Sequence, residues 1–206
     1  MNDLLSTINN LTHSDIHTTI HQRIQQFKTI DTHSAEELFQ ELCFCILTAN
    51  CNAERTIHIH AQLSKSFSID PIETLAKKLK EHGYRFPNRA AYIVEAAKKK
   101  DMLSPIIHTR PPEERRTWLV DNITGLGYKE ASHFLRNIGY DDYAIIDSHI
   151  LDLLERYHRI KRPNTLTAKK YKEIEEDLRA LATKTQLTLA ELDLYLWYLE
   201  TGKILK

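Results

Sequence analysis

The stretch ITGLGYKEASHFLRNIG, residues 123–139, decides how this chain is read. The sequence holds 5 glycines in all, yet Gly125 and Gly127 both fall here, directly ahead of Lys129. Glycine reaches backbone angles closed to other residues and lets a second chain segment come close. Beyond the pair, Ala131, Phe134, Leu135 and Ile138 recur at the i, i+3, i+4, i+7 spacing of a helix with one buried face. Arg116 to Asn122 reads as the end of a preceding helix. The segment is therefore a helix, a tight turn over Thr124–Tyr128, and a second helix from Lys129 to Asn137. Lys129, His133 and Arg136 are expected on the side away from the apolar face. Free amides at a helix start, with the positive end of its dipole, suit a phosphate. A ligand-free joint between two helices would also use glycine, so spacing alone leaves both readings open.

Outward from this hairpin the pattern stays helical. Leu4, Leu5, Ile8 and Leu11 suggest one helical face, and Ile16, Ile20, Ile24 and Phe27 a second. Ser34 and Glu37 form the signature of a capping box, opening the most apolar helix through Leu38, Leu42, Ile46 and Leu47 and ending near TANCNAE, residues 48–54. Further helices are expected over 54–66, 71–82, 87–99 and 112–122. Pro71, Pro87 and the pair Pro111–Pro112 lie at expected helix starts, where a missing N–H costs little. The nearest approach to a strand is YAIIDSHI, residues 143–150, and it is short. An all-α fold is expected, with two helical subdomains and the helix-hairpin-helix at their cleft. One is a helical barrel over 31–135, and the other joins 1–30 to 136–206. No internal repeat or low-complexity tract separates them.

At 206 residues, 42% apolar and 27% charged, the composition is ordinary for a globular protein. The longest uninterrupted apolar run, Leu42 to Leu47, is far too short to cross a bilayer. The opening MNDLLSTINNLTHSD has no basic flank before its apolar residues, so no secretory leader is expected and the protein is read as intracellular, without membrane attachment and monomeric. Cys43, Cys45 and Cys51 are an odd set for a disulfide framework and lack an evident fourth ligand for a metal, so they are read as buried thiols. His13, His17 and His21 follow a four-residue spacing and are read as a solvated stripe. The formal charge is zero overall, but residues 77–136 carry 13 basic against 7 acidic side chains. Local charge sets the field that a phosphate meets, and this basic segment contains the hairpin. A lysine-rich solvated face would look the same.

Downstream of the hairpin, Asp147 is placed to cap a helix carrying Ile150, Leu151, Leu154 and Tyr157. A catalytic reading instead needs Asp147 and Lys129 to face each other.

Taken together, TGLGYKEASHFLRNIGYDDYAIIDSHIL resembles the signature of the helix-hairpin-helix DNA glycosylases, with their glycine-rich loop and essential aspartate. YRFPNRAAYIVEA and the tail YLWYLETGKILK make nearly the whole chain similar to the short 8-oxoguanine DNA glycosylase/lyases, the second structural type of that enzyme. The resemblance implies a bifunctional enzyme of base excision repair acting on duplex DNA that contains 8-oxoguanine, with no metal or other cofactor. It implies that Lys129 attacks the deoxyribose C1′ of a flipped-out nucleotide and that Asp147 accepts a proton and offsets positive charge on the sugar. A free lysine amine is almost wholly protonated near pH 7, so burial and a helix start must help to free it, whereas a carboxylate opposes that. The same resemblance places Trp197 and Phe86 on the faces of the extruded purine, and the C-terminal Lys206 at its edge through either its carboxylate or its ammonium. Asn50 and Asn52 match a loop that fills the gap left by flipping, although a helix cap is an equal reading. No cysteine follows Cys51, so the iron–sulfur cluster of other branches is not expected. A same-fold glycosylase for another damaged base, and a non-catalytic DNA-binding module, remain alternatives.

Overall fold

A computed structural model of the chain describes residues 3–206; Met1 and Asn2, where the leader reading begins, lie outside them. Among the described residues there are helices and no strands: α1 (Leu4–Thr12), α2 (Ile16–Phe27), α3 (Ala35–Thr48), α4 (Ala53–Phe67), α5 (Ile72–Glu81), α6 (Arg89–Ala97), α7 (Lys100–Thr109), α8 (Pro112–Asn122), α9 (Tyr128–Asn137), α10 (Ser148–Arg156), α11 (Ala168–Thr185) and α12 (Leu189–Thr201). The all-α expectation holds. Helix α7 was not anticipated, because Pro105 sits inside it. That proline removes one backbone donor, but Leu103, Ile106 and Ile107 are buried on the face that packs against α3 and carry the helix through it.

The chain divides into two compact units, Ile30–Phe134 with Lys206, and Met1–Thr29 with Leu135–Leu205. The first of these is built around α3, which packs against α4, α6 and α7. Its residues from Leu38 to Leu47 are buried except for Gln40. At its start Ser34 accepts from the Glu37 amide at 3.2 Å, but the Glu37 carboxylate accepts from the amide of Asp31 at 2.9 Å. Only half of the expected capping box therefore forms, because the preceding turn offers Glu37 another donor. At the far end the last carbonyls of α3 lack intrahelical partners. The Tyr84 hydroxyl donates to Leu47 O at 2.6 Å, and the Arg89 guanidinium donates to Ile46 O at 3.0 Å, Leu47 O at 3.1 Å and the Tyr84 oxygen at 2.8 Å. Burial raises the Tyr84 phenol well above its ordinary range, so it stays a donor. This clamp fixes where the chain leaves α3.

In the other unit α12 packs against α1, α2, α10 and α11. Ile20, Ile24 and Phe27 of α2 bury against Ala190, Leu194 and Tyr195 of α12. A complete capping box, Thr188 with Glu191, starts α12, and Gly202 ends it in the left-handed region. Residues 143–147 form neither helix nor strand. Their backbone is satisfied by side chains of α11 instead: Ala144 N donates to the Glu175 carboxylate at 3.0 Å, Ile146 N donates to the Tyr171 oxygen at 3.2 Å, and the Tyr171 hydroxyl donates to Ala144 O at 2.7 Å. A buried backbone needs such partners, and these deliver Asp147 to the start of α10.

The exit of α9 rests on Gly139, which has φ +95° and would place a Cβ 3.2 Å from the Lys28 Cα and 3.4 Å from Phe27 O. Gly139→Ala is expected to cost about 1–3 kcal/mol, since both conformation and space oppose it. Gly202→Ala, also left-handed but facing open space, should lose less in the same denaturant titration.

Candidate active site

The hairpin is held from both sides. Helix α8 ends with the Asn122 side chain donating to Trp118 O at 2.9 Å, and Lys99 Nζ donates to the Asn122 carbonyl. Leu126 N closes the turn onto Ile123 O at 3.2 Å, and Ala131 N reaches Gly127 O at 3.0 Å. Gly125 has φ +90°, and a Cβ there would lie 2.6 Å from Cδ2 of Tyr92. Conformation and space both require glycine. Gly127 is not left-handed; its amide donates to Glu130 Oε2 at 3.2 Å, and a Cβ would meet that same oxygen at 3.3 Å.

Lys129 lies in the first turn of α9, partly buried, with Nζ 3.8 Å from Glu130 Oε1. The Glu130 carboxylate thus spans the Gly127 amide and the Lys129 ammonium. Sequence reasoning passed over Glu130, although an acid three residues into a helix is the position that reaches back to the cap amide.

His133 and Arg136 are not on a solvent face. They are 5% and 4% exposed. The His133 ring meets Phe44 edge-on with centroids 5.8 Å apart. Arg136 lies 3.6 Å from the Asp193 carboxylate and 4.5 Å from the centre of the Phe27 ring. From Ala131 onward α9 is buried on every side, so its polar stripe meets protein groups, and the expected phosphate contacts from these two side chains are not available to solvent.

Asp147 caps α10, accepting from Ile150 N through Oδ1 at 3.0 Å. Two residues on, His149 meets Trp197 of α12 edge-on at 5.2 Å and 89°. The structure thereby joins two expected site residues through the head of α10. The Trp197 indole Nε1 is buried with no hydrogen-bond partner among the described residues. Phe86 is partly buried, with the guanidinium of Arg89 at 4.8 Å and that of Arg85 at 5.2 Å from its centroid. Asn50 is exposed and left-handed, φ +52°, just beyond the clamped end of α3. Asn52 caps the start of α4 rather than the end of α3, accepting from Arg55 N at 3.0 Å.

Lys206 closes the chain with Nζ 2.5 Å from Glu41 Oε2 and 4.9 Å from the Phe44 centroid. Phe44 also meets His60 edge-on at 5.6 Å, and His60 Nε2–H donates to Gln40 O at 2.8 Å. Burial holds the His60 imidazole below the ordinary histidine range; the Lys206 ammonium pushes the same way, against the Gln40 bond and Glu41. Cys43 and Cys45 are buried and Cys51 partly so, all as free thiols. Among the described residues no helix is long and apolar enough to cross a membrane.

The glycine turn with an amine at the head of α9, followed by an aspartate at the head of α10, is the part of the chain that carries the resemblance to the helix-hairpin-helix DNA glycosylases. A family model described as 8-oxoguanine DNA glycosylase matches residues 20–187. The 8-oxoguanine DNA glycosylase/AP lyase of Methanocaldococcus jannaschii is 49% identical over 205 residues, covering 98% of this chain and 99% of that protein. The enzyme of the same description from Korarchaeum cryptofilum is 46% identical over 209 residues, covering 100% and 99%. The crystal structure of the Methanocaldococcus jannaschii 8-oxoguanine glycosylase/lyase with a 15mer DNA containing 8-oxoguanine matches at TM-score 0.95 and 49% identity over 98% of this chain and 99% of that one. The 8-oxoguanine DNA glycosylase of Thermotoga maritima matches at TM-score 0.92 and 40% identity, covering 98% of each chain. The chain belongs to this 8-oxoguanine DNA glycosylase family.

The partly buried His60 imidazole gives a pH signature. An unfolded histidine takes a proton near pH 6.5, and the folded His60 does so only at lower pH. The unfolded state therefore binds more protons between the two values, and stability is lost as pH falls through that window. The stability advantage of the wild type over His60→Gln should narrow between about pH 8 and about pH 5, as read from denaturant midpoints. A gap independent of pH would remove His60 from the linkage.

Proposed function

We propose that this protein is a bifunctional DNA glycosylase and abasic-site lyase that excises 8-oxoguanine from duplex DNA. The observation that carries the reading is the amine of Lys129, partly buried in the first turn of α9 behind a turn that only glycine can make. The match to family members over nearly the whole chain, one of them solved with DNA containing 8-oxoguanine, supports the substrate.

In this reading the neutral Lys129 amine attacks the deoxyribose C1′. A C1′–Nζ bond forms while the bond to the damaged base breaks, and the base leaves with the electron pair. The sugar ring then opens: the nitrogen loses a proton and its electron pair forms the C1′=N bond as the C1′–O4′ bond breaks and O4′ takes up a proton. The imine, once protonated, makes the adjacent C2′ acidic; loss of a C2′ proton then breaks the C3′–O bond, expels the 3′ phosphate and cuts the strand. Asp147 serves as the proton acceptor and as the negative charge beside the developing cation. Its capping bond to Ile150 N fixes one carboxylate oxygen. Trp197 and Phe86 supply aromatic surface for the extruded purine, and Lys206 contributes to recognising its edge. Asn50 and Asn52 remain the proposed gap-filling loop, and the glycine turn at Gly125 and Gly127 the proposed phosphate contact, for which the Gly127 amide must leave Glu130. A DNA substrate supports reading the protein as intracellular.

Borohydride trapping on a duplex carrying 8-oxoguanine tests the nucleophile. Wild-type protein should form a covalent adduct and Lys129→Gln none; an adduct with the variant would move the chemistry to another amine. Asp147→Asn should slow base release by roughly 10²–10⁴-fold while leaving affinity for the duplex nearly unchanged. Parallel losses in rate and affinity would reduce Asp147 to its capping role.

A further inference from the structure

Helix α3 carries one charge where its neighbours are apolar. Glu41 is 2% exposed, flanked in sequence by Phe39, Leu42 and Phe44, each 1% exposed or less. Placing a carboxylate there is expensive, and a well-packed hydrophobic residue of similar volume would serve stability as well or better. Stability is therefore not the reason for an acid at this position. What the carboxylate does have is the ammonium of the last residue of the chain: Lys206 Nζ lies 2.5 Å from its Oε2. Phe44, one turn further along α3, presents its ring to the same ammonium at 4.9 Å, a favourable cation–π distance. Phe44 is itself pinned edge-on by His60 and His133.

A lysine has a long, rotatable side chain whose tip is free to move unless it is held. Here the tip of that side chain is held in a buried charged socket. We propose that Glu41 is a positioning residue: it anchors the Lys206 ammonium and thereby sets where the final residue of the chain lies when a damaged base is bound. The ammonium is then occupied by protein, and recognition of the base falls to the rest of the residue. This inference rests on the functional reading above, in which Lys206 contributes to base recognition.

Two substrates separate positioning from mere support. A duplex with 8-oxoguanine requires the base to be recognised; a duplex with a preformed abasic site presents no base and reports only the lysine chemistry. Glu41→Gln keeps the shape and removes the charge, and Glu41→Leu fills the site with apolar volume. Both variants should release 8-oxoguanine about tenfold or more slowly than wild type, with strand cutting at the abasic site changed by no more than about twofold. Adding Lys206→Met to Glu41→Gln should cost little beyond either change alone, because the two side chains act as one unit. Equal losses on both substrates, unchanged release of 8-oxoguanine, or additive effects in the double variant would each overturn the proposal. Failure of the wild type to release the base would sink the functional reading along with it, whereas wild-type release with parallel losses in both Glu41 variants sinks this proposal alone.

Discussion

The contact between Gly125 and the ring of Tyr92 is the constraint on which the hairpin depends. With a Cβ the backbone would approach the ring to 2.6 Å, and the φ of +90° would remain strained even if the ring moved. The turn is thus fixed by shape against a neighbouring helix, and its hydrogen bonds follow from that placement. Because α9 starts where this turn ends, the direction in which Lys129 leaves the backbone is set by a packing contact several residues away from it. Gly127 adds a lesser condition, room for the Glu130 carboxylate to reach its amide.

Much of this was legible in the residues. Helical periodicity gave the all-α class and most helices, and the turn between α8 and α9 was placed correctly because two glycines interrupt an otherwise continuous pattern. Helix α7 was missed because Pro105 is a local breaker, while the burial of Leu103, Ile106 and Ile107 that overrides it is a tertiary effect. The same limit explains His133 and Arg136. A helical wheel with one apolar side predicts that the other side meets water, and nothing local reveals that α9 is surrounded by protein. Asn52 was visible as a cap, but which helix it would cap depended on where α3 ends, and that end is set by Tyr84 and Arg89 from far along the chain. Family resemblance, not spacing, supplied the roles of Phe86, Trp197 and Lys206.

Several buried or half-buried charges are matched to a particular partner. Arg136 has Asp193, Glu41 has Lys206, and Arg89 satisfies the carbonyls at the end of α3. Such pairs add little net stability over apolar packing, but they penalise alternative arrangements heavily, because a displaced partner leaves a charge in a low-dielectric surrounding. Around the proposed reaction residues this trades adaptability for definition of position.

The irregular run before α10 has a different kind of consequence. In a sheet, the offset of a strand is shared among many ladder bonds, and shifting it means slipping the whole strand. Here Tyr171 and Glu175 hold the backbone individually, so the aspartate that follows is tethered by two replaceable side chains on a neighbouring helix. A single substitution on α11, remote in sequence from both the turn and the acid itself, therefore acts directly on the setting of that acid.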